Sequence, residues 1–149
     1  MKKTFTGRAL LPGNISGEAV VSRQGFNSLA SYIKSSLKKS RRAICSDQDN
    51  PDLYKKDLTD KIICLPKTIG STTGGLVLMT AVDLDLAPRA MLFSQEIDSL
   101  AAAGVILADI WSGYRIVTVD RLGEEFLDYV TDGASLTVSI DGIVTVIRD

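Results

Sequence analysis

The chain has no histidine, and that absence removes more chemistry than any other feature of its composition. Ser-His-Asp and Cys-His catalysis are excluded, as are histidine metal ligation and the usual side-chain base near neutral pH. Only two cysteines occur, Cys45 and Cys64, and they form no Cys-x-x-Cys pair. Two are too few for a disulfide framework, and too few to hold an iron–sulfur cluster in this chain. They read as reduced, buried residues. No run approaches the roughly 20 apolar residues of a membrane span, and the basic start Met1-Lys2-Lys3 is not followed by a signal peptide's apolar stretch. The expectation is a soluble, cytoplasmic chain. A large charge of one sign is missing too: the net charge of −1 argues against nucleic acid or a membrane surface as partner.

What is present is enough apolar material for a core, 45% hydrophobic residues against 23% charged in 149 residues. With no linker, repeat or low-complexity tract, one domain over 1–149 is expected. The charge is unevenly distributed. Residues 1–56 carry 11 Lys and Arg against 4 Asp and Glu, and residues 57–149 carry 6 against 14. The basic run Lys34, Lys38, Lys39, Arg41 and Arg42 reads either as a solvated stretch or as a surface for an oppositely charged partner.

Alternation over Phe5–Leu11 and Glu18–Ser22, separated by Pro12-Gly13-Asn14, predicts an amino-terminal hairpin. Phe26, Leu29, Ala30, Ile33 and Leu37 fall at helical spacing, with Asn27 or Ser28 as the cap. Ala43-Ile44-Cys45 reads as a short strand. Lys61–Leu65 and Ala90–Phe93 read as interior strands. Leu76–Leu86 predicts a buried helix, apolar nearly all round and closed by Pro88. Asp98 or Ser99 caps an alanine-rich helix through Ala108, Tyr114–Val119 is another strand, and Glu124–Val130 a short helix. Ser135–Ile140 and Ile143–Ile147 form a hairpin across Asp141-Gly142. Strand-helix-strand units in the middle and hairpins at both termini predict an α/β fold, a mixed sheet with central parallel strands.

Two loops carry candidate chemistry. In Gly70-Ser71-Thr72-Thr73-Gly74-Gly75 the glycines permit close backbone approach, and amides at the next helix start face an anion. The same residues also serve simply as caps and turn formers. The loop is neither a Walker loop nor Gly-x-Gly-x-x-Gly. The second loop, Ser94–Ser99, joins the first around one pocket if their strands are neighbours, because ligands gather at the carboxyl ends of parallel strands. Trp111 reads as a core plug or an interface anchor, core being the expectation. Glu124, Glu125 and Asp128 read as a solvated face.

The ordered series Gly7-Arg8-Ala9-Leu10-Leu11-Pro12-Gly13, Gly17-Glu18-Ala19, Lys61-Ile62-Ile63-Cys64-Leu65-Pro66, Gly70-Ser71-Thr72-Thr73-Gly74 and Ala87-Pro88-Arg89-Ala90 resembles the small subunit of the aconitase X family. The resemblance implies a swivelling β/β/α domain and a hydro-lyase assembled with an aconitase X large subunit. That subunit is expected to bring the iron–sulfur cluster or metal ion; no cofactor and no metal ligand are expected in this chain. Family members dehydrate cis-3-hydroxy-L-proline or mevalonate 5-phosphate. Cys45-Ser46-Asp47-Gln48, the loop Leu65–Gly75 with Ile69 in place of an arginine, and Leu92–Gly104 resemble the hydroxyproline type, whose product is a pyrroline carboxylate. The small-molecule hydroxy acid would then meet Ser71 as catalytic base. Gly70, Thr72, Thr73, Gly74, Lys67, Gln95, Asp98 and Ser99 are the candidate substrate-binding residues. Alternatives are the small subunit of a mevalonate 5-phosphate dehydratase, or a non-catalytic domain that binds a small anion.

Overall fold

In the computed structural model, residues 1–70 and 72–148 are described. The chain opens with β1 (Lys2–Thr6), β2 (Arg8–Leu11), β3 (Ile15–Val21) and the short β4 (Phe26–Asn27) before α1 (Ser28–Leu37). After a long loop come β5 (Ile62–Leu65), β6 (Thr68–Ile69), α2 (Gly74–Asp83), β7 (Ala90–Phe93) and α3 (Ser99–Trp111). It ends with β8 (Val117–Asp120), α4 (Glu124–Tyr129), β9 (Ser135–Val138) and β10 (Ile143–Ile147). The α/β class expected from the sequence holds.

All four residues of β5 and of β7 are buried, which for an extended chain requires cover on both faces. Alternation sorts them. Ile62, Cys64, Ala90 and Leu92 face one core with Phe5, Leu136, Val138, Val144 and Val146. Ile63, Leu65, Met91 and Phe93 face a second core with Tyr32, Leu78, Ala81, Ala101 and Val105 from the helices. The layers are therefore an antiparallel sheet, a parallel sheet and a helical layer. One strand order, β1-β10-β9-β3-β5-β7-β8-β2, runs through both sheets. β3 joins them: Ile15–Glu18 pair antiparallel with β9, and Ala19–Val21 pair parallel with β5.

The amino-terminal hairpin does not form. β1 pairs with β10, β2 with β8 and β3 with β9, so the first three strands are scattered through the sheets. Gly7 is where the chain crosses over; a Cβ there would lie 2.4 Å from the Asp120 carbonyl oxygen. Alternation reports which side of a strand is buried, and three segments with that pattern carry no label for their partners. Both ends of the strand order are amino-terminal, whereas the carboxyl-terminal hairpin lies inside it. That hairpin forms as expected, with Gly142 at φ +81° and its N–H donating to Ser139 O at 3.0 Å.

The helices also depart from their expected faces. In α1 the covered residues are Ser28, Ser31, Tyr32 and Ser35, while Leu37 is 78% exposed. Small serines let the helix lie close on its neighbours, and Phe26 of the apolar stripe belongs to β4 instead. α2 is covered on one side only, by Leu78, Ala81 and Val82, because it lies between α1 and α3 with its outer face open; Leu76 is 59% exposed. It ends at Asp83, short of Pro88. Ala43–Cys45 is an isolated bridge, Ile44 to Asp57, since Ala43 N donates to Thr59 Oγ1 and Cys45 N to Lys56 O within the loop. Trp111 is no core plug: it stands 75% exposed at the end of α3. Glu124, Glu125 and Asp128 are solvated. No helix among the described residues is long and apolar enough to cross a membrane.

Cys45 is buried in the helix-side core and Cys64 between the sheets, and burial pushes both thiols above their ordinary range. The native chain is expected to react slowly, if at all, with an aromatic disulfide reagent at pH 8, and to release two equivalents once unfolded. One fast-reacting thiol in the native chain would contradict this packing.

Candidate active site

The carboxyl ends of β3, β5 and β7 meet the beginnings of α1, α2 and α3. After β5, Lys67 O accepts from Phe26 N at 2.8 Å, and β6 pairs parallel with β4, so the following loop is tied to the start of α1. Asn27 caps that helix, its Oδ1 accepting from Ala30 N at 3.0 Å. Gly70 follows with φ +97°, against the Asn27 side-chain amide; a Cβ at this position would sit 2.5 Å from Asn27 Nδ2. Only glycine meets both conditions without strain.

A second tie joins the two loops. Thr68 Oγ1 donates to Asp98 Oδ1, while Asp98 Oδ2 accepts from Ala101 N at 3.0 Å and so caps α3. Gly75 of α2 and Gly104 of α3 bring those helices into backbone contact. The Ser94–Asp98 segment is pinned from below by the fully buried Asp120. Its carboxylate receives Arg8 Nε and Nη2 at 2.9 and 2.7 Å and Ile97 N at 2.9 Å.

These ties leave a pocket of about 170 Å³ walled by Ser28, Thr68, Gly70, Gly74, Asp98 and Leu100, with Ile69 and Ala101 beside them. Asp98 is its one charged side chain among the described residues. Three helix amino termini meet at this opening and bring the positive ends of their dipoles to it; the Asn27 and Asp98 side chains already take one N–H each of α1 and α3.

Of the expected site residues, Ser71 lies outside the described residues. Gly70, Gly74 and Asp98 line the pocket, which unites the two loops as their neighbouring strands require. Thr72 and Thr73 are exposed beside it without lining it. Lys67 and Ser99 are exposed and also lie outside the lining. Gln95 is exposed too; its backbone N–H donates to Pro66 O at 3.2 Å and its carbonyl accepts from Arg121 N at 3.0 Å, so it shapes the turn. Sequence reasoning missed Ser28, Thr68 and Leu100 in the walls. Thr68 stood next to the recognised loop, but nothing local marks Ser28, which arrives from some 40 residues away through the β4–β6 pair.

A family model described as the aconitase X swivel domain matches residues 4–146. The chain belongs to that family. Among curated relatives, it is similar to the phosphomevalonate dehydratase small subunit of Pyrococcus furiosus, 29% identical over 104 residues, or 70% of this chain and 72% of the relative. The protein of the same name from Thermococcus kodakarensis is 28% identical over 104 residues, with the same coverage. The fold matches a crystal structure of Thermococcus kodakaraensis aconitase X in its holo form, with a TM-score of 0.81 and 23% identity, covering 98% of this chain and 99% of that one. The α/β fold is thus that of the aconitase X swivel domain.

Proposed function

We propose that this chain is the small subunit of an aconitase X-type hydro-lyase, and that it closes a large subunit's active site with the loop bearing Ser71. The observation that carries this reading is the pocket at the three helix starts, which Gly70 and Gly74 line from either side of Ser71 in the sequence. A serine hydroxyl is a poor base at its ordinary pKa, and neighbouring helix-start amides are the groups that would favour its alkoxide. The exposed apolar side chains Ile69 and Leu100, 50% and 45% accessible, line the same opening, and with Leu76, 59% accessible in the first turn of α2, they suit burial against a partner.

The reaction removes the hydrogen on the carbon next to a carboxylate; the freed electron pair forms a carbon–carbon double bond as the neighbouring hydroxyl leaves as water. Both mevalonate 5-phosphate and cis-3-hydroxy-L-proline present that β-hydroxy acid unit. The relatives' names support mevalonate 5-phosphate. The second reading, hydroxyproline, is favoured by the pocket itself, whose described walls hold a carboxylate and no cation to meet a phosphate. Among the described residues no group of three or more Cys, Asp and Glu side chains is placed to hold a metal, and the two cysteines sit in separate cores. A cluster or metal ion does not fit the described residues, and on the proposed reading it lies in the large subunit.

Co-expression with an aconitase X large subunit, followed by assays with both substrates, tests the reading. A stable two-subunit complex that dehydrates mevalonate 5-phosphate supports the first substrate, and turnover of cis-3-hydroxy-L-proline alone supports the second. Failure to form a complex, or a complex inert towards both, overturns the hydro-lyase assignment in favour of a small-anion-binding domain.

A further inference from the structure

The basic run of the sequence gathers around a hollow at the far end of α1, about 15 Å along the helix from the Asn27 cap. Lys34 comes from its last turn, Lys38 from the cap just past it, Arg41 and Arg42 from the bend that follows, and Lys55 with Tyr54 from the loop opposite; together they wall a space of about 420 Å³. The walls are held by backbone bonds. Cys45 N donates to Lys56 O at 2.8 Å, Lys55 N to Cys45 O at 2.9 Å, and Leu58 N to Ala43 O at 2.7 Å.

Five cations share this hollow, and among the described residues only Arg42 has a carboxylate partner, Asp57, at 2.7 Å. The Lys55 ammonium stands 5.5 Å from the Tyr54 ring centre. The helix-end dipole explains two lysines, but not two arginines and a third lysine converging from other segments. Nor are the lysines needed to satisfy the last carbonyls of α1. Lys38 N, Ser40 N and Lys39 N already donate to Lys34, Ser35 and Ser36 O at 3.1, 2.9 and 3.2 Å. Like charges brought together around a concave space repel one another unless an anion neutralises them.

We propose that this hollow binds a small, multiply charged phosphate compound. Its volume is that of a small-molecule site, larger than one phosphate needs. Among the described residues Arg41 has no acidic partner, which leaves its guanidinium fork for bidentate phosphate contact; the lysines add point charges, and Tyr54 offers an aromatic surface to an organic body. The site is separate from the pocket at the helix starts and holds whether or not the chain serves a dehydratase.

Calorimetric titration of the full chain with pyrophosphate at low salt tests it. Saturable binding of one equivalent is expected, weakened about tenfold or more in Lys38→Gln/Arg41→Gln and within about twofold of wild type in Lys39→Gln, whose side chain is outside the lining. Absence of saturable binding, or equal affinity in the double variant, overturns the proposal. So does tighter, Arg41-dependent binding of an oligoglutamate peptide, which would identify the hollow as a contact for an acidic protein segment.

Discussion

Ser71→Ala in the assembled two-subunit enzyme is expected to lower kcat by about 10²- to 10⁴-fold, the usual loss when a positioned acid–base group is removed. The complex should form as before. The substitution removes only the hydroxyl and leaves the exposed apolar side chains of Ile69, Leu76 and Leu100 unchanged, and the described ties that fix the loop run through Thr68, Gly70 and Asp98. On the proposed reading KM should change less than kcat, because the hydroxyl would act on the proton being removed rather than on binding. Steady-state assays on purified complex, with assembly checked by size-exclusion chromatography, measure both. Turnover within about threefold of wild type would remove Ser71 from the chemistry. Loss of activity together with loss of the complex would make it a structural residue.

Gly104→Ala is expected to destabilise the chain, although alanine is the better helix former by roughly 1 kcal/mol. The added methyl would lie 2.6 Å from both Cα and O of Gly75, backbone atoms that have no rotamer to escape into. α2 and α3 must then separate, at a cost of about 2 kcal/mol, or some 6–8 °C in Tm for a chain of this size. Gly74→Ala is the control. One residue from Gly75, its methyl would meet Ser28 Cβ at 3.8 Å, an ordinary contact, so little change in Tm is expected. Thermal denaturation of the three proteins decides the matter, and a Gly104→Ala chain as stable as wild type would show that the helices do not touch there. The same contact sets the spacing of two of the three helix starts around the pocket, so the destabilised variant should also lose activity in the complex.

Much of this architecture was legible. The runs at 62–65 and 90–93 are too short and too apolar for anything but strands covered on both faces, and both are. Asn27 or Ser28, and Asp98 or Ser99, mark the helix starts, because a short polar side chain before an apolar stretch satisfies an otherwise unpaired N–H; Asn27 and Asp98 fill that role. Asp141-Gly142 announced its hairpin for an equally local reason, the positive φ that Gly142 adopts. The scattering of the first three strands was not legible, since partners such as Gly17 and Leu136 are more than a hundred residues apart. Nor was the covered face of α1. Its leucine and isoleucine spacing pointed to one side, whereas close packing selected the side with serines.

The candidate site divides along the same line. Residue order alone singled out the glycine–hydroxyl loop, a cap at Asp98 or Ser99 and the clustering of positive charge between positions 34 and 42, because each depends on residues close together in the chain. The fold brought Thr68 to Asp98 across 30 positions, laid Asn27 against Gly70, and turned Lys55 towards Lys34 and Arg41 around a hollow. Those meetings depend on which strands pair and how closely helices approach. They are set by burial and backbone hydrogen bonding between distant segments, and short-range patterning carries no record of either.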